Sequence, residues 1–145
     1  MDEQGNIIIY QTEDGAVRLD VRLADNTVWL TQQQMADLYG SSRTNVVEHI
    51  KHIYEEGELQ ENATCRNFRQ VQQEGNREVT REIPYYNLDM IISLGYRVRS
   101  ITATRFRQWA TERLREYIVK GFALDDERLK NLHFYITVVS PPERS

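Results

Sequence analysis

The stretch WLTQQQMADLYGSSRTNVVEHIKHI, residues 29–53, most restricts what this chain can fold into, because two helix signals stand there with only a glycine and two serines between them. Thr31 can cap a helix and Gln34 can reach back to its backbone, while Leu30 and Met35 are spaced as a hydrophobic staple. Met35, Leu38 and Tyr39 form one apolar stripe, and Gly40 supplies a stop. Ser41 or Ser42 can cap a second helix on which Val46, Val47, Ile50, Ile53 and Tyr54 recur at helical spacing. Two short helices meeting at a turn of this length form the layout of a helix-turn-helix.

The flanking segments place that pair in an α+β domain. Asn6 to Tyr10 and Val17 to Leu23 read as strands of a β-meander, joined by Glu13-Asp14-Gly15, whose Asp-Gly pair suits positive φ angles. In the second strand Val17, Leu19, Val21 and Leu23 alternate with Arg18, Asp20 and Arg22, so one face is expected to be buried and the other wet. Asp25-Asn26 is another turn signal, and Thr27 to Leu30 forms a third strand entering the first helix. After the acidic exit Glu55-Glu56-Gly57-Glu58, two strand-like arms flank Glu74-Gly75-Asn76 as a β-hairpin. Asn87 and Asp89 then open a short helix that buries Leu88, Ile91, Ile92 and Leu94 and is closed by Gly95. A long core helix follows, with Phe106, Trp109, Ala110, Leu114, Tyr117 and Ile118 on one face and Gly121 at its end. Phe134 to Val139 reads as a further strand, stopped by Pro141-Pro142.

A chain of 145 residues, 40% hydrophobic, is the size of one domain with one core. We expect a single helix-turn-helix-containing domain over 1–131 and a divergent tail over 132–145. Apolar runs such as Ile7 to Ile9 are too short to span a bilayer, and the start MDEQGN lacks the zones of a secretory signal, so no membrane association and a cytoplasmic location are expected. The single cysteine, Cys65, permits neither an internal disulfide nor a thiolate cluster.

Charge is divided. The whole chain carries −4, but residues 1–65 hold four basic and twelve acidic residues, and residues 66–121 hold eleven basic and six acidic. The helix-turn-helix therefore lies in the acidic part. Its second helix nevertheless exposes Ser42, Arg43, Thr44, Asn45 and His49 at its start, and Arg, Asn, Ser and Thr are side chains that pair with base edges or phosphates. The hairpin carries Arg66, Arg69, Arg77 and Arg81, either as a basic wing on phosphates or as partners of Glu74, Glu78 and Glu82. The long helix is ringed by Arg97, Arg99, Arg105, Arg107, Arg113, Arg115 and Lys120.

Catalytic signatures are missing. There is no phosphate-cradling glycine loop and no Gly-x-Ser-x-Gly elbow, and Cys65 has no base near it in sequence. His49 and His52 share a helix face but have no third ligand at a recognised spacing, and Asp125-Asp126-Glu127 reads as a solvated loop. We expect no enzyme activity, no metal and no cofactor.

Three long stretches carry a resemblance: WLTQQQMADLYG, then ENATCRNFRQVQQEGNREVTREIPYYNLDMIISLGYRVRS, then FRQWATERLREYIVKGFALDDERL. Through them, from about Ile7 to Asn131, the chain resembles the N-terminal domain of RhuM-type virulence-associated proteins. In layout it is more distantly similar to the Bro-N domains of phage antirepressors. The resemblance implies bacterial or phage-borne, DNA-associated regulation and no defined reaction. Family members usually continue beyond DDERL into a largely helical region, where this chain instead has KNLHFYITVVSPPERS. Some relatives carry a Fic-type nucleotidyl-transfer domain, whose His-centred motif does not occur here. The reading is a DNA-binding regulatory domain acting on double-stranded DNA, with a homodimer suggested by the symmetry of typical sites. The alternative is a protein-interaction or adaptor module that keeps the fold without binding DNA.

Overall fold

In a computed structural model the described residues are 5–124, with side chains described through Tyr117. Five strands, β1 (Asn6–Gln11), β2 (Arg18–Ala24), β3 (Thr27–Leu30), β4 (Cys65–Glu74) and β5 (Arg77–Asn87), form one antiparallel sheet in the order β1-β2-β3-β5-β4. The helices are α1 (Gln32–Tyr39), α2 (Arg43–Glu55), the short α3 (Glu61–Thr64), α4 (Leu88–Val98) and α5 (Ser100–Leu124). The α+β class and the order of elements match the expectation, with α3 as an addition. Backbone contacts divide the chain at Arg107/Gln108.

The sheet is built by two kinds of turn. Asp25 and Asn26 both have positive φ (54° and 62°), the pattern of a type I′ hairpin, and they close β2 onto β3. The expected Asp14-Gly15 pair is different. Only Gly15 is left-handed, and Asp14 instead folds its carboxylate back to accept from the Thr12 hydroxyl at 2.7 Å and the Ala16 N–H at 3.0 Å. Gly75 alone is positive in the β4–β5 turn.

Because side chains alternate along a strand, the register defines two faces. Tyr10, Leu19, Val21, Leu23, Val28, Leu30 and Tyr86 share one face, and all are buried. Helices pack here: the Tyr10 ring meets Phe106 of α5 edge-on at 5.1 Å, and Gln32 of α1 donates to the Tyr86 hydroxyl at 3.0 Å. The opposite face presents Ile7 and Ile9, both exposed, then Arg22, Trp29, Tyr85 and Phe68. There Trp29, Phe68 and Tyr85 bury one another, with Phe68 edge-on to both other rings. The alternation of β2 puts Arg22 on the face opposite its apolar residues, which would be wet. Arg22 is 92% buried instead, its guanidinium 4.7 Å from the centres of both Phe68 and Tyr85, and it donates to the Tyr85 hydroxyl at 3.2 Å.

Both α1 and α2 start as expected. Thr31 and Gln34 form a reciprocal capping box, and Ser42 accepts from the Asn45 N–H. Gly40, at φ 63°, ends α1 in the left-handed conformation that favours glycine. Met35, Leu38, Tyr39, Val46, Ile50 and Ile53 are buried, whereas Val47 faces solvent.

Two other expected helix stops are not stops. Asn87 caps α4 through the Met90 N–H, but α4 runs on past Gly95 to Val98. Gly95 is a packing glycine: a Cβ there would lie 2.3 Å from the Tyr39 hydroxyl oxygen and 2.6 Å from the Ala103 Cβ. The Tyr39 hydroxyl uses that space to donate to the Ile91 carbonyl at 2.7 Å. Leu88 and Ile92 are half-buried rather than buried. The helix α5 likewise passes Gly121 and reaches Leu124, and on it Ala103, Phe106 and Ala110 are buried while Trp109, Leu114 and Tyr117 are half-buried. Ile118, the expected Phe134–Val139 strand, Pro141-Pro142, the acidic trio at Asp125 and the tail over 132–145 lie outside the residues whose side chains or backbone are described.

Candidate nucleic-acid interface

Three residues, Gly40, Ser41 and Ser42, separate α1 from α2, and they fix the entry of the second helix. The Ser41 N–H donates to the Ala36 carbonyl at 2.9 Å, while the Ser42 hydroxyl is spent as the cap of α2. Asn45 is oriented from behind, its Nδ2 donating to Ser41 Oγ at 2.7 Å. Ser42, Arg43, Thr44 and Asn45 are all exposed, and no carboxylate among the described residues pairs with Arg43. His49 is only half-exposed, and its Nδ1 is enclosed without a hydrogen-bond partner. His52 is exposed.

The hairpin arginines separate into two kinds. Arg66 pairs with Asp25 and stacks on the Phe68 ring at 4.5 Å, and Arg81 pairs with Glu74 at 2.7 Å, so both are tied to the protein. Arg69 and Arg77 are exposed with no carboxylate partner among the described residues. The β4–β5 register places these two on opposite faces of the hairpin, so a flat basic surface is not what the hairpin offers. The structure thus gathers Ser42, Arg43, Thr44 and Asn45 into one set and leaves Arg69 and Arg77 as single charges on a separate element.

Two arginines of the α4–α5 corner bear on this site, and the sequence places them only around the long helix. Arg97 donates to Glu56 at 2.6 Å and Glu58 at 2.8 Å, holding α4 to the exit of α2. The bond from Arg97 to Glu56, with the Arg97 charge behind it, pushes the Glu56 carboxyl below its ordinary range. Arg99 lies by the α1–α2 turn, its Nη1 3.4 Å from where a Gly40 Cβ would be. Nothing local in the sequence joins position 99 to position 40.

Burial pushes the Cys65 thiol up, away from the lowered value of an activated nucleophile. Its surroundings are an open depression lined by Gln60, Glu61, Asn62, Arg66 and Asn67. The Tyr54 hydroxyl is pushed up to about 12 by burial, although a hydrogen bond with Thr64 at 2.8 Å opposes the shift.

A capped helix pair on one face of an antiparallel sheet, continued by a long hairpin and two further helices, defines the class as an α+β chain with an exposed polar helix start. Residues 63–137 match the virulence protein RhuM family, just over half of the chain. The chain belongs to that family. The matched residues begin within α3 and include β4, β5, α4 and α5, so the α1–α2 pair lies outside them. No curated protein and no solved structure matches the chain. No described helix is long and apolar enough to cross a membrane.

Proposed function

We propose that this RhuM-family chain is a non-catalytic DNA-binding regulatory domain of the cytoplasm, with α1 and α2 as a helix-turn-helix and the start of α2 in the major groove. One observation carries the reading: Ser42, Arg43, Thr44 and Asn45 are presented together on a capped helix start, with Arg43 free of any described carboxylate and Asn45 held from behind by Ser41. Arg43 and Asn45 are the groups that read guanine and adenine edges, while Arg69 and Arg77 are free to take phosphates. A two-fold site would call for a homodimer.

An adaptor that binds protein rather than DNA is the second reading. It is favoured by the eight-charge acidic excess of residues 1–65 and by Glu48, exposed on the same helix as Arg43. Capture of genomic fragments at moderate salt, compared with random duplex, separates the two. Arg43→Ala or Asn45→Ala should cost about 1 to 3 kcal/mol on the preferred sequence and relax one base position, with melting unchanged. A chain that retains no duplex even at low ionic strength is the adaptor.

A further inference from the structure

Of the two arginines at the α4–α5 corner, Arg97 is doubly neutralised at the exit of α2, whereas Arg99 lies by the α1–α2 turn and is not. Arg99 is exposed, no carboxylate or hydrogen-bond acceptor among the described residues engages its guanidinium, and its Nη1, Cζ and Nη2 lie 3.4 to 3.6 Å from the Cβ position of Gly40. Its backbone is fixed from both sides. The N–H donates to the Gly95 carbonyl at 2.7 Å and closes α4, and the carbonyl accepts from the Ala103 N–H at 3.1 Å and opens α5. The backbone at position 99 is therefore held by two helices, and from it the side chain extends to the turn. Gly40 is its neighbour at the turn: the positive φ favours glycine there, and the guanidinium stands at ordinary van der Waals distance from where a Cβ would be.

From this geometry we infer that Arg99 is a phosphate-binding residue, reaching from the α4–α5 corner to hold one backbone phosphate of the duplex beside the α1–α2 turn. The inference rests on the DNA-binding reading above and adds to it a contact supplied from a distant part of the chain. A planar guanidinium with unused donors can grip a phosphate through two parallel hydrogen bonds. Placement beside the turn preceding α2 puts it on the flank of the reading helix, where a contact fixes register without reading sequence. Under this assignment the work divides: Arg43 meets a base edge and Arg99 the backbone.

The test uses the full chain and a genomic duplex that it captures, titrated across a salt series with wild type, Arg99→Ala, Arg99→Lys and Arg43→Ala. Arg99→Ala should reduce the slope of log affinity against log salt by about one unit, keep the base preference and melt like wild type. Arg99→Lys should restore the slope, since it restores the charge, and Arg43→Ala should relax base preference. Wild-type binding with an unchanged slope in Arg99→Ala overturns the assignment and leaves the DNA reading standing. Loss of slope, base preference and melting temperature together in Arg99→Ala also overturns it, because Arg99 would then be holding the fold. A wild-type chain that binds no duplex overturns both.

Discussion

The two faces of the sheet bury their side chains by different means. On one, aliphatic residues such as Val21, Val28 and Leu30 are sealed completely under helices whose buried side chains are all uncharged. On the other, Trp29, Phe68 and Tyr85 are sealed by each other and by Arg22, a cation held between two rings. The helical face follows the ordinary rule that apolar surface covers apolar surface. The aromatic face shows that a charged side chain can serve as filling when its flat surface stacks on rings and a hydroxyl accepts one of its hydrogens.

The largest perturbation should come from Phe68→Ala, which empties the centre of the aromatic face. Truncation of a buried aromatic costs about 3 to 5 kcal/mol, and Phe68 also supports both Arg22 and Arg66. Thermal melting should fall steeply, and hydrogen exchange should speed first in β4 and β5 while α1 and α2 stay protected. Equal loss of protection in α1 and α2 would mean that the two faces are one cooperative unit.

On the helical face, Gly95→Ala sharpens the contrast in the other direction, by adding rather than removing volume. The new methyl would meet the Tyr39 hydroxyl, which is buried and engaged with Ile91, so the ring cannot swing aside without losing its bond. Overpacking costs about 1 to 3 kcal/mol, against a gain of about 1 kcal/mol from helix propensity. A clear net fall in melting temperature is expected, and Tyr39→Phe should not recover it, because the Tyr39 ring carbon and the Ala103 Cβ would still stand 2.5 and 2.6 Å from the methyl.

Tyr85→Phe is the smallest of the three. It keeps the ring and removes only the acceptor of the Arg22 bond, so a loss of about 0.5 to 1.5 kcal/mol in denaturant melting is expected. A loss as large as that of Phe68→Ala would show that the hydroxyl, not the rings, holds the cation.

These contrasts explain what could be read from residues alone. Thr31 with Gln34, Gly40, Ser42 and Asn87 are short-range signals, each completed by a partner three or four positions away, and each acts where expected. The alternation of β2 gave the helical face for the same reason. Arg22 was misplaced because its partner Tyr85 is 63 residues away, and Arg97 grips a carboxylate 41 residues away. Gly95 carries the same ambiguity: a glycine near a helix end is both a stop signal and a clearance, and only the arrival of Tyr39 from α1 decides between them. The candidate site divides likewise, its α2 half being local and legible, whereas Arg99 is near Gly40 only through the packing of distant helices.

The pairing of β3 with β5, made through Trp29 with Asn87 and Leu30 with Tyr86, has a consequence for anyone transplanting this fold. The matched stretch beginning at residue 63 contains β5 but not β3, so excising it would bare a strand edge and strip Phe68 and Tyr85 of their third ring. The family match and the sheet thus have different bounds in this chain. A chimera joined at the family boundary would need a surrogate strand beside β5, whereas one that also carries residues from β1 onward brings its own.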